Sequence, residues 1–293
     1  MPQFDFYLPS DLKDALQLKE SGGEGVVVVA SGTDLMPRMR KGQVSPQILM
    51  SISSLENDLR YLRRENGVIH IGALATVSDL LDSPLFAERL SMISEAAENF
   101  GAPQIRNVAT VGGNICSASS SEDFIPVLLA LDSRVKLISE EGERSLALRD
   151  FVLGKRRTAM KTSEILSEVY FESPDGNSWS GFEKLGRRNI LIVAMVGEAL
   201  LLSLEDDLKT VKSAKIALNR LAGRIPALAE KTTSFMTGRK LNDETIAEAQ
   251  KVLASELALT SDFRGSAAYR VSIAQAYLRR LLLRCSRKIA GSA

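Results

Sequence analysis

Apolar and polar positions in the first half of the chain follow two periods, which predict short strands interleaved with helices. The apolar residues of 12–16 share one helical face behind Ser10, the expected N-cap, and Gly22 and Gly23 end that helix. Four consecutive valines at 26–29, bounded by glycine, predict a buried strand that is apolar on both faces. Further strands are predicted over 4–8, 47–55, 67–76, 134–139 and 164–171.

Two helices are predicted between residues 76 and 101. Thr76 and Asp79 have the spacing of a capping box that opens a short helix. The segment 85–101 carries apolar residues at helical spacing, and Gly101 ends it. The first half of the chain therefore mixes both kinds of element.

A change of composition near residue 175 indicates a domain boundary. Pro, Gly, Asn and Ser accumulate over 172–181. Beyond this stretch the pattern predicts strands over 181–187, 193–204 and 213–222. Two amphipathic helices follow, one over 241–257 and one from Ser266 to about Arg284.

Charge and hydropathy exclude several classes of protein. The formal net charge of the 293 residues is +1, which gives no basic surface for a phosphate-driven grip on nucleic acid. The longest apolar run, 190–204, contains Glu198 and is shorter than the roughly 18 residues that a membrane span needs. The N-terminal residues do not read as a secretory signal, so a cytoplasmic location is expected.

The scarcity of histidine and cysteine limits the chemistry of the chain. His70 is the only histidine and lies in a predicted strand, where a structural role is expected. A multi-histidine metal site is therefore excluded. The two cysteines, Cys116 and Cys285, are fewer than the four that an iron–sulfur cluster commonly needs, so the chain cannot hold one alone.

Two loops of small residues occur in the first 130 residues, each beside a strongly apolar stretch. The first is ASGTDL at 30–35, and the second is TVGGNICSAS at 110–119. Consecutive backbone N–H groups in turns bind anions, and glycine lets the backbone approach a phosphate closely. Neither loop fits the dinucleotide fingerprint or the P-loop pattern. Two such loops suggest a ligand with two phosphates, to which backbone amides of both would donate.

Three segments together resemble the FAD-binding subunit of the molybdenum hydroxylases, a family that includes carbon monoxide dehydrogenase and the xanthine dehydrogenases. They are VVVVASGTDLMP at 26–37, GAPQIRNVATVGGNICSASSSEDFIPVLLALDS at 101–133, and FEKLGRRN at 182–189. The resemblance implies an α+β chain: a two-subdomain FAD-binding α/β fold of the PCMH type, followed by a small antiparallel sheet with helices. Its domains would be 1–175, with subdomains at about 1–55 and 56–175, and 176–293.

The resemblance also implies which residues contact FAD. The diphosphate would lie between the two loops, Asp123 would bond a cofactor hydroxyl, and Lys184 would be the basic residue of the family's F-x-K-x-x-R-R pattern. The full set of implied contacts is Val28, Val29, Ala30, Ser31, Gly32, Thr33, Asp34, Leu35, Phe100, Thr110, Val111, Gly112, Gly113, Asn114, Asp123, Leu166 and Lys184. No catalytic residue and no metal ligand is implied.

Some of these positions have a second interpretation. Phe100 closes an apolar helical face and also suits a core role, Leu166 favours the core, and Lys184 also suits a solvated strand. Ser31 stands where the family usually has glycine, which would strain the backbone if the position needed a positive φ. The run ASSSED at 118–123 departs from the usual Ala-Ser-Pro before the acid.

The function implied by the resemblance is that of an oxidoreductase subunit that transfers electrons. Non-covalent FAD would receive electrons from iron–sulfur clusters on a small partner subunit and pass them to an external acceptor. A large partner subunit would carry the molybdopterin, in a heterotrimer or a dimer of heterotrimers. The alternatives are a self-contained FAD oxidoreductase of the same fold and a flavin-free scaffold subunit.

Overall fold

The computed structural model describes residues 3–186, 194–219 and 225–292. The first part of the chain alternates helices and strands; its elements are β1 Asp5–Tyr7, α1 Leu12–Gly22, β2 Val26–Val29, α2 Leu35–Arg40, β3 Ile48–Ser51, α3 Glu56–Leu59, β4 Leu62–Glu65, β5 Val68–Gly72, α4 Val77–Asp82, α5 Ser91–Glu98, α6 Pro103–Arg106, α7 Val111–Ser117 and α8 Phe124–Ala130. The remaining elements are β6 Arg134–Ser139, β7 Gly142–Ala147, α9 Leu148–Phe151, β8 Val152–Gly154, β9 Arg157–Thr158, β10 Ile165–Glu172, β11 Ser178–Leu185, β12 Val196–Leu204, β13 Val211–Leu218, β14 Ala227–Leu228, α10 Glu230–Met236, α11 Asp243–Glu256 and α12 Ala267–Ser292. This mixture confirms the α+β class.

The chain forms two compact units, and each draws on separate stretches of sequence. The first unit comprises the residues up to 80 together with 102–118 and 133–172. The second comprises 81–101, 119–132 and the residues from 173 onward. The predicted domains, 1–175 and 176–293, are continuous stretches of sequence, and their limits stay a prediction.

The first unit is built on two main sheets. A three-stranded parallel sheet has the order β1-β3-β2, and a five-stranded antiparallel sheet has the order β4-β5-β10-β6-β7, with β8 and β9 as a separate pair. Ala15 of α1 is buried with Val26 and Met50, which joins the helix to the parallel sheet. The expectation that 26–29 is buried on both faces is only half met, because β2 is an edge strand and its two central valines are half-buried.

The ends of several elements in this unit differ from the predictions. Asp11, not Ser10, is the N-cap of α1, because its carboxylate accepts a hydrogen bond from the amide of Asp14 at 2.8 Å. The capping box is confirmed: the amide of Thr76 donates to Asp79 Oδ2 at 2.8 Å, and the amide of Asp79 donates to Thr76 Oγ1 at 3.1 Å. The strands β4 and β7 were not expected, since exposed polar residues fill most of both.

The predicted helix over 85–101 is mostly a different structure. Only Ser91–Glu98 is α-helical, and two short 3-10 turns, Pro84–Phe86 and Glu88–Leu90, precede it. Ala87 between them has extended backbone, with φ −71° and ψ 160°, so no continuous helix runs through.

The second unit has a four-stranded antiparallel sheet in the order β11-β12-β13-β14. Its core joins the sheet to α11 and α12, with buried residues such as Leu200, Ile216 and Leu281. The three strands predicted here are present as β11, β12 and β13, while residues 187, 193 and 220–222 of those predictions lie outside the described residues. Helix α12 continues past Arg284 to Ser292. Helix α8 packs on β12 and β13, and all its residues are buried.

Candidate functional site

The first loop connects β2 to α2 and has one backbone position that favours glycine. Gly32 has φ +77°, in the left-handed region, and a Cβ there would lie 2.7 Å from Met36 Cγ. Ser31, the residue in the family's usual glycine position, does not have a positive φ. The substitution of serine for glycine therefore brings no strain of this kind.

The amides of this loop are open donors. Within the described residues, the backbone N–H groups from Ser31 to Asp34 donate to no acceptor of the chain, while the carbonyl oxygens of Gly32 and Asp34 accept from α2. A row of unused N–H groups on a turn is the arrangement that binds anions. The structure thus supplies the donors that the sequence predicts for the first loop.

The second loop is the start of α7, and its amides are already used. Thr110 is the N-cap, and its hydroxyl accepts from the Gly113 amide at 3.1 Å. The amides of Val111 and Gly112 donate to the carbonyl oxygens of Ala75 and Ala73, both at 2.9 Å, and the Asn114 amide donates to Thr110 O at 3.0 Å. The expectation that these small residues leave their amides open is therefore wrong for 111–114, because the turn that starts the helix consumes them.

Close packing accounts for Gly112. A Cβ on this residue would lie 2.7 Å from both the Cβ and the carbonyl oxygen of Ala73. The residue is fully enclosed between α7 and the segment that follows β5. Leu74, in that segment, is buried in the cluster that also contacts Val28 and Ala30. Residues 73–75 therefore adjoin both loops of the first unit.

Leu166, also in the first unit, lies within the five-stranded sheet. It is buried in β10, with Leu137 of β6 as its cross-strand partner. This placement agrees with the core interpretation of the residue.

Asp123 and Lys184, predicted separately, form one buried ion pair in the second unit. Lys184 Nζ lies 2.6 Å from Asp123 Oδ2, and the two side chains are 3% and 7% exposed. Lys184 also donates to the carbonyl oxygen of Asn99 at 3.0 Å. The alternative of a solvated strand lysine is therefore wrong.

One oxygen of this pair remains available. Asp123 Oδ1 is buried and has no hydrogen-bond partner among the described residues. Burial raises the pKa of Asp123 to about 6, and the neighbouring Lys184 ammonium opposes that rise. A buried acceptor without a donor is costly, so Oδ1 is a candidate acceptor for a donor from outside the described residues.

Phe100 lies near the same residues of the second unit. Its ring centroid is 5.7 Å from that of Phe124, the residue after Asp123. Phe124 is buried, whereas Phe100 is only half-buried. The structure thus groups Phe100, Asp123 and Lys184 in the second unit, and the two loops with Leu166 in the first.

Sequence reasoning missed Arg156. Its guanidinium bonds to Asp34 at the end of the first loop and to Ser117 at the end of α7. The only sequence signal was the basic run at 155–157, which is more typical of a solvated turn.

The remaining candidates for chemistry have structural roles. His70 lies in β5, its Nδ1 is 3.1 Å from Glu168 Oε2, and its ring stacks on Tyr170. Burial raises the pKa of the Cys116 thiol to about 12. Across the described ranges, no group of three or more His, Cys, Asp or Glu side chains could hold a metal ion. In the same ranges, no helix has both the length and the apolar surface that crossing a membrane requires.

Comparison with known proteins covers nearly the whole chain. The family model for the FAD binding domain in molybdopterin dehydrogenase matches residues 2–172, and the model for the CO dehydrogenase flavoprotein C-terminal domain matches residues 181–285. The nicotinate dehydrogenase FAD-subunit of Eubacterium barkeri is 30% identical over 287 residues, which covers 97% of this chain and 96% of the relative. The carbon monoxide dehydrogenase medium chain of Afipia carboxidovorans is 30% identical over 281 residues, with 96% of each chain covered.

The solved structures agree. The crystal structure of the cyanide-inactivated Cu,Mo-CO dehydrogenase has a chain that superimposes with a TM-score of 0.91 at 29% identity, covering 98% of this chain and 99% of that one. Two successive family models, full-length relatives and one shared fold lead to the same assignment. The chain belongs to the FAD-binding medium subunits of the molybdopterin-dependent dehydrogenases, the molybdenum hydroxylase family.

Proposed function

We propose that this chain binds FAD without a covalent bond and serves as the electron-transfer flavoprotein of a molybdenum-containing dehydrogenase. The observation that carries the proposal is the set of open amides from Ser31 to Asp34. Their loop follows a strand and, like the start of α7, adjoins residues 73–75. Four neighbouring N–H groups without an acceptor suit an anionic ligand such as a diphosphate.

Each loop would contribute to the diphosphate site in a different way. Within the first loop, 28–35, the residues 31–34 would supply amide donors, with Gly32 allowing the close approach. The residues 110–114 would supply a rigid, capped helix start, since Thr110 fixes its first turn. Gly113, which is exposed, would leave room for the ligand beside the backbone.

Three of the residues that the resemblance implies as FAD contacts lie in the second unit. Asp123 Oδ1 would accept a hydrogen bond from a cofactor hydroxyl, which would satisfy the oxygen that has no donor within the described chain. Lys184 holds the other carboxylate oxygen and keeps Asp123 oriented. Phe100, which is half-buried, is a further candidate contact in the second unit. In the first unit, Leu166 would contribute from the core of the five-stranded sheet.

When bound, FAD supplies redox chemistry, since it accepts and releases electrons. The residues of this chain bind and orient it and set its surroundings. No side chain of the candidate site is required to act as a general acid or base on a substrate.

Covalent attachment of the flavin is not expected. Histidyl attachment would need His70, which is held between Glu168 and Tyr170. Cysteinyl attachment at Cys116 would need a thiolate, and the raised pKa of that thiol keeps it protonated.

The other redox centres are expected on partner subunits. The chain has two cysteines, fewer than an iron–sulfur cluster commonly needs. We infer an iron–sulfur small subunit and a molybdopterin-binding large subunit, assembled as a heterotrimer or a dimer of heterotrimers in the cytoplasm. The medium-chain names of relatives such as the carbon monoxide dehydrogenase chain support this arrangement.

Two measurements test the proposal. Acid precipitation of the purified protein should release free FAD into the supernatant, and yellow colour that stays in the pellet would overturn the non-covalent assignment. Expression with the neighbouring genes and purification through a tag on this chain should bring down iron–sulfur and molybdenum subunits. If neither subunit copurifies and the chain alone oxidises NADH or NADPH with a substrate, it is a self-contained reductase.

A further inference from the structure

One side chain, Arg156, binds the far ends of both candidate loop segments. Its Nη1 donates to Asp34 Oδ2 at 2.6 Å, and its Nη2 donates to Asp34 Oδ1 at 2.9 Å. The same Nη1 also donates to the carbonyl and hydroxyl oxygens of Ser117. Asp34 directly precedes α2 at the end of the first loop, and Ser117 is the last residue of α7. The guanidinium therefore connects the two segments in the first unit.

The backbone around Arg156 is held in an uncommon conformation. Arg156 has φ +62° and Ala118, next to Ser117, has φ +45°, although neither is glycine. The Arg156 amide donates to the Ala118 carbonyl oxygen at 2.8 Å, which joins the two residues. Non-glycine residues with positive φ persist where their surroundings fix them, and they are enriched at functional sites. The backbone at Arg156 is therefore fixed, and its side chain extends from a fixed point to both segments.

The geometry of the contact is specific to arginine. A planar guanidinium gives two parallel hydrogen bonds to one carboxylate and still reaches a third group. The Asp34 carboxylate also has Arg38 at 3.6 Å, but that pair joins α2 only to the residue directly before it. The contact with Arg156 joins the first loop to α7 directly through hydrogen bonds.

We propose that Arg156 is a positioning residue that sets the separation of the two loops before the cofactor binds. The proposal rests on the proposed function, since the loops are taken as the diphosphate site. The Nη1 and Nη2 bonds of Arg156 go to Asp34 and Ser117, so its role here is to hold the two segments and not to bind the phosphates. A loop that is fixed in advance loses less entropy when the ligand binds, so the loss of Arg156 weakens FAD affinity.

The test compares R156Q, D34N and the double variant with the control R144Q. Arg144 is matched to Arg156, because it makes a two-point contact with Glu164 through Nε at 2.6 Å and Nη2 at 2.9 Å in the same unit. It bonds to neither loop. The Kd for FAD is measured on flavin-free protein from the quenching of flavin fluorescence. Hydrogen exchange is measured by mass spectrometry without flavin for two peptides: 35–41, in which the amides of Met36 and Arg38 donate to carbonyl oxygens of the first loop, and 111–118.

We expect R156Q and D34N each to raise the Kd about tenfold, in the range of coupling between contacting residues, and the double variant to be no worse than either. Exchange should accelerate in both peptides. R156K should recover part of the affinity, because lysine restores the charge but not the fork. R144Q should change neither the Kd nor the exchange of these peptides, even if its melting temperature falls by as much as that of R156Q.

Unchanged Kd and unchanged exchange in R156Q would overturn the proposal. If wild-type protein binds no FAD, the proposed function fails, and exchange alone decides the role of Arg156: faster exchange in both peptides supports it, and unchanged exchange refutes it. If R156Q does not fold, D34N removes the same contact from the side of Asp34, and its Kd and exchange decide whether the proposal holds.

Discussion

The two glycine-containing loops of the first unit look alike in sequence and differ in structure. In the first loop, Gly32 has a left-handed backbone and the amides that follow it are open. In the second, Gly112 is packed against Ala73, and the amides from 111 to 114 donate within the chain. Glycine therefore serves a backbone conformation in one loop and close packing in the other. A row of small residues therefore indicates a backbone that another group approaches closely, and that group is either a ligand or another segment of the same protein.

Replacing Gly112 by alanine should have the largest effect on stability. The added Cβ would lie 2.7 Å from two atoms of Ala73, which belong to the backbone and to a short side chain, so α7 must move. Overpacking of this kind destabilises a protein by about 1–3 kcal/mol, and we expect the upper end. Urea denaturation of the flavin-free protein measures the change.

Gly154→Ala is the matched control in the same unit. The nearest atom to its added Cβ is 4.0 Å away, and its φ is not positive. This variant should stay within about 1 kcal/mol of the wild type. Equal stability of the two variants would show that the second loop does not need glycine for packing.

Gly32→Ala should cost less stability and more affinity for FAD. A residue with a Cβ at φ +77° is strained by about 1–2 kcal/mol, while the contact with Met36 falls on a flexible side chain that can move. Any relaxation of this strain shifts the open amides, so the Kd for FAD should rise about tenfold, equivalent to about 1.4 kcal/mol. Fluorescence titration gives the Kd, and urea denaturation gives the stability.

Gly42→Ala separates the strain from the site. Gly42 has φ +67° and no atom within 4 Å of an added Cβ. It should lose similar stability and keep the wild-type Kd. If the Kd for FAD rises equally in Gly32→Ala and Gly42→Ala, the loss of affinity results from general destabilisation and not from a change in the first loop.

Removing the cap of α7 should have an intermediate effect. Thr110→Ala leaves the Gly113 amide without its acceptor, and a lost N-cap costs about 1 kcal/mol. Thr110→Ser keeps the hydroxyl and should stay close to the wild type. If the alanine variant is as stable as the serine variant in urea, the cap does not hold the second loop.

The smallest effect is expected from restoring the family's usual glycine at residue 31. Ser31 has no positive φ, so glycine relieves no strain there and only makes the unfolded chain more flexible. Ser31→Gly should therefore destabilise the protein by about 0.5 kcal/mol. A stabilised variant would mean that serine strains the first loop after all.

The sequence was sufficient for features with local or family-wide signals. The α+β class, the capping box of Thr76 and Asp79, and the family itself are confirmed. The late start of the predicted helix at 85–101 could not be predicted, because its apolar spacing fits a helix and a pair of 3-10 turns alike. The polar strand β7 has no hydrophobic alternation to reveal it.

Features that join distant residues could not be predicted. The pairing of Lys184 with Asp123 spans 61 positions, and that of Arg156 with Asp34 spans 122. A single sequence carries no signal for such separations. The requirement for glycine at residue 112 could not be predicted either, because Ala73, which leaves no room for a side chain there, lies far away in the sequence.

The composition of the second unit has a consequence for how the protein is made. Helix α8, buried along its whole length, ends at Ala130, while β13, one of the strands it packs on, ends at Leu218. At roughly 5–20 residues per second, a ribosome needs about 4–18 s to synthesise the chain between those residues. Throughout that interval the apolar helix α8 lacks the strands on which it packs. The nascent chain therefore depends on chaperones, or on a slow hydrophobic collapse before synthesis is complete. A fragment that stops at residue 175 would keep this surface uncovered permanently and should aggregate.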